Sequence, residues 1–249
     1  MQIHIKLSWL LILFLISPCL LAQETRDKNV EKGLALYEKG EYTAAEEIFA
    51  RLIKENRDDV EALFLLANSQ LASGKYEEAV KHYNAVIRKD KHHADARFNR
   101  GNAWYEMFYF RKAIRDMNKV LKEDSTYFEA YSVRGSAWFN LDKYEKSLRD
   151  FDKAAGMMTD KASVYYDRGN ARFMLKEYAE AIADYSRAIG IDDNDANSYF
   201  NRSLSKFYLE QDEDACIDLE KAAALGDEEA KAYLMEFCGG GDIKAPVDK

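Results

Sequence analysis

Four arginines in the central and C-terminal parts of the chain are each followed, 16 residues later, by an aspartate. A guanidinium and a carboxylate can form a two-pronged ion pair or, beside a nucleophile, take part in acid–base catalysis. Neither residue type gathers with a nucleophile here, so we predict structural ion pairs, either within each pair or from one aspartate to the next arginine. The four pairs are Arg100 with Asp116, Arg134 with Asp150, Arg168 with Asp184, and Arg202 with Asp218.

Residues that could perform catalysis or hold a metal are sparse. His92 and His93, with Asp90 and Asp95, could chelate a metal, but such a polar stretch is more typical of a solvated turn. The sequence has no Gly-x-Ser-x-Gly or His-Glu-x-x-His motif and no glycine-rich loop for phosphate. We therefore predict no enzyme activity, no cofactor and no metal site.

Composition narrows the class of protein further. Of the 249 residues, 47% are apolar and 13% aromatic, which excludes a disordered chain. The 44 acidic residues outnumber the 36 basic ones, and the net charge is −8. A nucleic-acid-binding protein needs a basic surface for the phosphates, so we expect no nucleic-acid partner.

The first 22 residues have the layout of a secretory signal peptide. Lys6 supplies positive charge, Leu7–Leu21 is largely apolar, and the small Ala22 precedes a polar segment, residues 23–25. The apolar run is shorter than the roughly 20 residues that span a membrane. We predict cleavage after Ala22 and export to the periplasm or the medium. A retained membrane anchor and lipidation of Cys19 are the alternatives, so any membrane association would involve the N-terminus alone.

Two cysteines, Cys216 and Cys238, remain after such a cleavage. Because an exported chain meets an oxidising compartment, they could form a disulfide that joins the last helix to its neighbour. Such a bond would stabilise the fold by roughly 3 kcal/mol. Two small buried thiols are the alternative, and the geometry of the fold decides between them.

A unit of 34 residues repeats six times without a gap, from Arg26 to Glu229. Positions 8 and 20 of every block are small, position 24 is large and apolar, and the apolar spacing marks one helix face in each half. The helices are separated near positions 15 and 16, where Gly40 and Gly74 supply a turn in the first two blocks. The blocks cover residues 26–59, 60–93, 94–127, 128–161, 162–195 and 196–229.

Four of the six blocks have glycine at position 8, inside a predicted helix, where it costs about 1 kcal/mol relative to alanine. We expect this cost to be accepted because the paired helices cross closely, with a small residue against a small residue. One helical hairpin cannot bury its apolar faces alone, so successive hairpins must stack into an α-solenoid.

This pattern resembles the tetratricopeptide repeat (TPR), as in Arg168–Ala171 followed by Tyr178–Ile182. The match covers over 80% of the chain, although the proline usual at position 32 is missing. The resemblance implies an all-α fold, a right-handed superhelix of six helix-turn-helix repeats. A capping helix is expected at residues 230–238 and a flexible tail at residues 239–249.

The resemblance also implies a concave surface, built from positions 2, 5, 9 and 12 of the first helix in each hairpin. Here these positions are rich in aromatic side chains, which give contact area at low entropic cost, and in asparagines, which can pair with a peptide backbone. The alternative is that the aromatics only pack between adjacent hairpins. The predicted groove residues, including two from position 6, are Phe64, Asn68, Phe98, Asn99, Asn102, Tyr105, Phe139, Tyr166, Asn170, Phe173, Phe200, Asn201 and Phe207.

Two asparagine pairs, Asn68 with Asn99 and Asn170 with Asn201, combine position 9 of one block with position 6 of the next. TPR proteins that bind chaperone C-termini add basic residues that this chain lacks, so an acidic C-terminal tail is not expected in the groove. We predict an exported, non-enzymatic scaffold or adaptor that binds protein or peptide segments and assembles an envelope or secreted complex. The alternatives are a membrane-anchored adaptor facing the cytosol and a regulatory subunit of an enzyme complex.

Overall fold

The computed structural model describes residues 18–239, and every regular element in that range is an α-helix. The predicted all-α class is therefore confirmed. The 13 helices within these residues are α1 (Pro18–Glu38), α2 (Tyr42–Glu55), α3 (Val60–Ala72), α4 (Tyr76–Lys89), α5 (Ala94–Glu106), α6 (Phe110–Glu123), α7 (Phe128–Phe139), α8 (Tyr144–Met157), α9 (Ala162–Met174), α10 (Tyr178–Ile191), α11 (Ala196–Phe207), α12 (Asp212–Ala224) and α13 (Glu228–Phe237).

The chain divides into two compact units, the first ending at Met107 and the second beginning at Phe108. In the first unit α1 to α5 pack in order, each helix on the next. In the second unit α6 to α13 pack in the same way. The first helices of neighbouring hairpins also touch, as α7 does with α9 and α9 with α11. This is the stacking expected of helical hairpins that bury their apolar faces against one another.

Helix α1 begins earlier than the repeat pattern predicts. It starts at Pro18, and proline is well tolerated in the first turn because its missing N–H would have no helical partner there. The helix then continues through Ala22 and residues 23–25 into the first repeat. The rest of the predicted signal peptide and residues 240–249 of the predicted tail lie outside the described residues. None of the helices described is long and apolar enough to cross a membrane.

The turn within each hairpin is built around position 15, which has a left-handed backbone. Its φ is 78° at Gly40 and 77° at Gly74, and the residues that follow the same rule later in the chain are Phe108 (62°), Asp142 (57°), Lys176 (62°) and Glu210 (59°). In the first hairpin Gly40 N donates to Tyr37 O and Glu41 N to Leu36 O, both at 2.9 Å. These two bonds satisfy carbonyls at the end of α1. The glycines reveal this turn in the sequence, whereas the later residues do not.

Glycine at position 8 makes room for an aromatic ring, which corrects the expectation of small against small. A Cβ atom at Gly33 would lie 2.5 Å from Cζ of Phe49, and one at Gly169 would lie 2.7 Å from Cε1 of Tyr185. Both rings occupy position 24 and are almost completely buried. The glycine therefore lets the ring of the second helix pack directly on the backbone of the first.

Three of the four predicted ion pairs lie within one unit, and the structure forms each of them inside a single hairpin. The distances between Nη2 of the arginine and Oδ1 of the aspartate are 2.6 Å for Arg134 with Asp150, 2.6 Å for Arg168 with Asp184, and 2.7 Å for Arg202 with Asp218. All three aspartates are buried, so these pairs are shielded from solvent. Of the fourth pair, Arg100 lies in the first unit and Asp116 is buried in the second.

Each of these arginines also reaches the preceding hairpin through Nη1. The acceptor is always position 25 of the block before: Asn84 for Arg100 (2.6 Å), Asn118 for Arg134 (2.6 Å), Asp152 for Arg168 (3.2 Å) and Ser186 for Arg202 (2.9 Å). The arginine thus joins two successive hairpins. The polar residues at position 25 carried this signal in the sequence, but the 16-residue spacing alone did not reveal it.

The C-terminal end of the second unit is closed by α13 and a disulfide. Cys216 on α12 is bonded to Cys238, directly after α13, with their Cα atoms 5.8 Å apart. Of the two alternatives that the sequence leaves open, the structure has the disulfide. The helix covers an apolar cluster that includes Phe207, Leu219 and Ala222.

Candidate functional site

Phe200 and Phe207 are core residues, which corrects their assignment to the groove. Phe207 is fully buried, with its ring centroid 5.9 Å from that of Phe237. Phe200 is 8% exposed and meets Tyr233 edge to face, with centroids 5.3 Å apart. Both partners belong to α13, so the capping helix covers the surface that a ligand would have needed. The other eleven predicted groove residues are half-buried.

In the first unit, Asn68 and Asn99 are in direct contact and share a tyrosine. Asn68 Oδ1 accepts a hydrogen bond from the hydroxyl of Tyr83 at 2.7 Å and another from Nδ2 of Asn99 at 3.0 Å. Tyr83 is fully buried, and burial raises the pKa of its phenol, so the hydroxyl remains a donor. The predicted asparagine pair is therefore part of a three-residue network.

The second unit repeats this network with Tyr185, Asn170 and Asn201. Asn170 Oδ1 accepts from the hydroxyl of Tyr185 at 2.8 Å and from Nδ2 of Asn201 at 2.9 Å. Asn201 Nδ2 also lies 3.2 Å from the hydroxyl of Tyr166. Sequence reasoning missed the tyrosines, although position 24 is tyrosine in the two blocks that have asparagine at position 9 and at position 6 of the next block.

A pocket of about 230 Å³ opens beside the second network, and we call it the α9 pocket. Four predicted groove residues line it, together with Met174 and Tyr185, which the sequence did not single out. The lining residues are Phe139, Asn170, Phe173, Met174, Tyr185 and Asn201. Met174 is 44% exposed, so much of this flexible apolar side chain is accessible beside the pocket.

Ring contacts hold the aromatic walls of the α9 pocket in place. Phe173 meets Tyr178 and Tyr208 edge to face, with centroids 5.4 and 5.6 Å apart, and these two tyrosines stack at 4.6 Å. Phe139 meets Tyr144 in the same way at 5.3 Å. Fixed aromatic walls lose little entropy when a ligand binds.

The polar groups of the α9 pocket suit a peptide unit. Asn170 Oδ1 already accepts two hydrogen bonds, so its amide nitrogen is the group that can still donate. Asn201 uses its nitrogen, and within residues 18–239 no hydrogen bond occupies its Oδ1. One donor and one acceptor, side by side, complement the C=O and N–H of an extended backbone whatever its sequence.

Asp167 is a titratable group that the sequence analysis did not identify. It is half-buried at position 6 on α9, the position that holds Asn99 and Asn201 in other blocks. Burial raises the pKa of its carboxyl group to about 7. Its charge therefore changes near neutral pH. The sequence indicates this residue only by placing an aspartate at position 6, where Asn99 and Asn201 stand in other blocks.

The remaining predicted residues of the first unit lie on α3 and α5. Phe64 packs on His93, with ring centroids 4.7 Å apart, and Phe98, Asn102 and Tyr105 are half-buried on α5. His93 precedes α5, and its Nδ1 accepts from the backbone N of Ala96 at 3.3 Å. No group of three or more potential metal ligands occurs in the part of the chain that the structure describes.

Comparison with known proteins identifies the repeats. The family described as tetratricopeptide repeat matches residues 30–91, 64–106 and 162–195, so the chain contains TPR units. No curated protein matches the sequence.

Three solved structures show the same fold at low sequence identity. YrrB, described as a TPR protein with an unusual peptide-binding site, is 19% identical, with 76% of this chain and 97% of that one covered and a TM-score of 0.65. The protein pilF of Pseudomonas aeruginosa is 18% identical, with 86% and 98% covered and a TM-score of 0.74. MamA is 23% identical, with 67% and 97% covered and a TM-score of 0.62. These likenesses establish the TPR-type helical fold.

Proposed function

We propose that this chain is a non-enzymatic TPR scaffold that binds an extended protein segment in the α9 pocket, within a concave groove. The observation that carries the proposal is the amide nitrogen of Asn170 beside Oδ1 of Asn201, which make no hydrogen bond within residues 18–239 and are framed by aromatic walls. Proteins with TPR units are generally protein-interaction scaffolds, and YrrB is described as having a peptide-binding site. Both facts support a protein or peptide as the partner.

The size of the α9 pocket favours a side chain over a whole small molecule. At about 230 Å³ it is smaller than the roughly 300–1,000 Å³ typical of sites for drug-sized ligands. An apolar side chain of the bound segment enters between Phe139 and Phe173, while the amides hold its main chain. Met174 at the edge adapts to the shape of that side chain.

The test of this proposal compares two methionines of equal exposure in the second unit. Met174 is 44% exposed at the pocket, and Met157, at the end of α8, is 45% exposed outside it. Peptides selected from a random phage-displayed library on the wild-type chain should lose at least tenfold in affinity for Met174→Glu and less than twofold for Met157→Glu. Equal losses, or no loss for Met174→Glu, would refute the α9 pocket as the binding site.

Export and a role in an envelope or secreted complex complete the proposal. They rest on the layout of residues 1–22 and on the disulfide between Cys216 and Cys238, which is typical of oxidising compartments. The intact mass of the chain from its native cells provides the test. Loss of residues 1–22 supports export, an added lipid at Cys19 indicates a lipoprotein, and a full-length mass contradicts cleavage.

A further inference from the structure

A second pocket of the second unit, of about 470 Å³, lies between α6 and α7, and we call it the α6–α7 pocket. Its cations are Arg111, Arg115 and Lys143, and its apolar side chains are Ile114, Trp138 and Leu141. None of the described residues that line it carries a carboxylate, in a chain with 44 acidic and 36 basic residues. The local charge is thus opposite to that of the whole chain.

The three cations of the α6–α7 pocket are unpaired within residues 18–239. The side chains of Arg111, Arg115 and Lys143 make no hydrogen bond or ion pair to any described residue, and all three residues are exposed. Arg111 and Arg115 lie one turn apart on α6, where like charges destabilise a helix by a few tenths of a kcal/mol. An anion bound between them would reverse that repulsion.

The other polar group that lines the α6–α7 pocket is also a donor. Asn118 Oδ1 accepts a hydrogen bond from Nη1 of Arg134 at 2.6 Å, which leaves the amide nitrogen of Asn118 to donate. Lys146 adds a further cation, with Nζ 4.5 Å from the centroid of the Trp138 ring. A pocket that offers donors and positive charge needs a ligand that offers acceptors and negative charge.

The apolar side of the α6–α7 pocket distinguishes an acidic protein segment from a bare anion. Ile114 is buried, and Trp138 and Leu141 are half-buried. Together they form an apolar surface in the pocket that a free phosphate would not bury. The net charge of −8 also disfavours a nucleic-acid ligand. A peptide with carboxylates and apolar side chains complements both the cations and the apolar side chains of the α6–α7 pocket.

An equivalent pocket in the first unit has charged side chains that are paired within the protein. It has about 450 Å³, and Glu46, Glu47 and Lys75 line it at the repeat positions of Ile114, Arg115 and Lys143, together with His82 at a position that does not line the α6–α7 pocket. Its lysine is paired, with Nζ of Lys75 3.0 Å from Oε2 of Glu46. Nδ1 of His82 lies 2.8 Å from Oε1 of Gln70, and burial lowers the pKa of this imidazole. This pocket therefore has no unbalanced positive charge to neutralise.

We infer that the α6–α7 pocket binds an acidic protein segment, with carboxylates on Arg111, Arg115 and Lys143 and an apolar side chain on Trp138 and Leu141. This site is separate from the α9 pocket and does not depend on the function proposed for it.

The test measures fluorescence anisotropy of a fluorescein-labelled peptide of alternating glutamate and leucine, with the full chain. Charged hydrogen bonds contribute enough that Arg111→Gln and Arg115→Gln should each weaken binding about tenfold. The matched control is Arg149→Gln on α8, which removes another exposed arginine outside the pocket and should change affinity less than twofold. All three positions are exposed, so circular dichroism should show the same helix content and melting temperature.

Three results would overturn the inference. The first is equal binding of a peptide in which glutamine replaces every glutamate. The second is an equal loss of affinity for Arg149→Gln and Arg115→Gln, which would indicate general charge attraction. The third is no measurable binding of the acidic peptide while inorganic phosphate binds with Arg115 dependence, which would assign the pocket to a small anion.

Discussion

The hairpin α3–α4 in the first unit and the hairpin α9–α10 in the second share one hydrogen-bond network but differ around it. Both have a buried tyrosine that donates to an asparagine, which also accepts from the asparagine of the next block. The α9–α10 hairpin adds the ion pair of Arg168 with Asp184, where α3–α4 has Leu66 and His82. It also adds Phe173 and Met174, where α3–α4 has Leu71 and Ala72.

This difference distinguishes residues that both hairpins share from residues that form the candidate site. The tyrosine–asparagine network occurs in one hairpin of each unit, at the same repeat positions, and it fixes the positions of the amides there. The aromatic and methionine side chains next to it occur in α9–α10 and form a pocket there. In the proposed function, a few variable positions beside this network specify the recognition surface. The α6–α7 pocket and its equivalent in the first unit likewise differ in charge at matching repeat positions.

The largest expected effect comes from breaking an ion pair that has no second cation. Arg134→Ala leaves Asp150, which is 6% exposed, without its guanidinium and should destabilise the fold by about 3 kcal/mol. Arg202→Ala leaves Asp218 with Lys206, whose Nζ lies 2.8 Å away, so its effect should be less than half as large. Chemical denaturation measures both free energies of unfolding. Equal values would contradict the assigned role of the second cation.

A methyl group at position 8 tests the packing of the ring on the helix backbone. Gly169→Ala places a Cβ 2.7 Å from Tyr185, so we expect a loss of about 2 kcal/mol in the free energy of unfolding. The α3–α4 hairpin has Ala67 beside Tyr83 at the same positions, so Ala67→Gly should change stability by 1 kcal/mol or less, as roughly expected for a helical glycine. Denaturant titration measures the free energy of unfolding of both variants. If Gly169→Ala has the same stability as the wild type, the ring of Tyr185 does not pack closely on the backbone at Gly169.

The pH dependence of stability tests Asp167, which α3–α4 lacks. Because its folded pKa is raised from 3.8 to about 7, the folded chain keeps this proton between those values while the unfolded chain releases it. The group therefore costs nothing below pH 4 and progressively destabilises the fold up to pH 7. Asp167→Asn should match the wild type at pH 4 and be more stable at pH 8, on the order of 1–2 kcal/mol for a half-buried group. A constant difference across this range would exclude the shift.

The smallest effect compares the turns of the two hairpins. Lys176 has a φ of 62°, where Gly74 of α3–α4 has 77°. Since a side chain is strained in the left-handed region, Lys176→Gly should raise the melting temperature, corresponding to about 0.5–1 kcal/mol, and Gly74→Ala should lower it by about as much. Calorimetry of the two variants gives the sign of the change in melting temperature. A higher melting temperature for Gly74→Ala would contradict the left-handed backbone at this turn.

Much of the fold could be predicted from the 34-residue period, because apolar spacing defines which face of each helix is buried. The 16-residue spacing of arginine and aspartate likewise predicted pairs that the structure forms at Arg134, Arg168 and Arg202. The period could not show what lies against each face. The ring opposite Gly169, the shared acceptor on Asn170 and the acceptors at position 25 are contacts between elements, which a single-helix pattern does not encode.

The candidate site could also be predicted from the repeat pattern, except where contacts between helices decide the role of a residue. Phe139, Asn170, Phe173 and Asn201 belong to the groove that register predicts, and all four line the α9 pocket. Phe200 and Phe207 occupy equivalent positions but are covered by α13, a tertiary contact from outside their block. Met174 stands next to register position 12 and is notable for its exposure, whereas Asp167 occupies register position 6 and is notable for the burial of its carboxyl group, and the sequence supplied neither property.

The central claim is that the α9 pocket receives a protein segment, and photocrosslinking from residue 174 tests it most directly. A photoreactive methionine analogue at position 174 should yield one covalent adduct with a selected peptide, and mass spectrometry should place the link on an apolar side chain. The same analogue at position 157, with equal exposure outside the pocket, should yield none. Adducts from residue 157 and none from residue 174 would contradict the account.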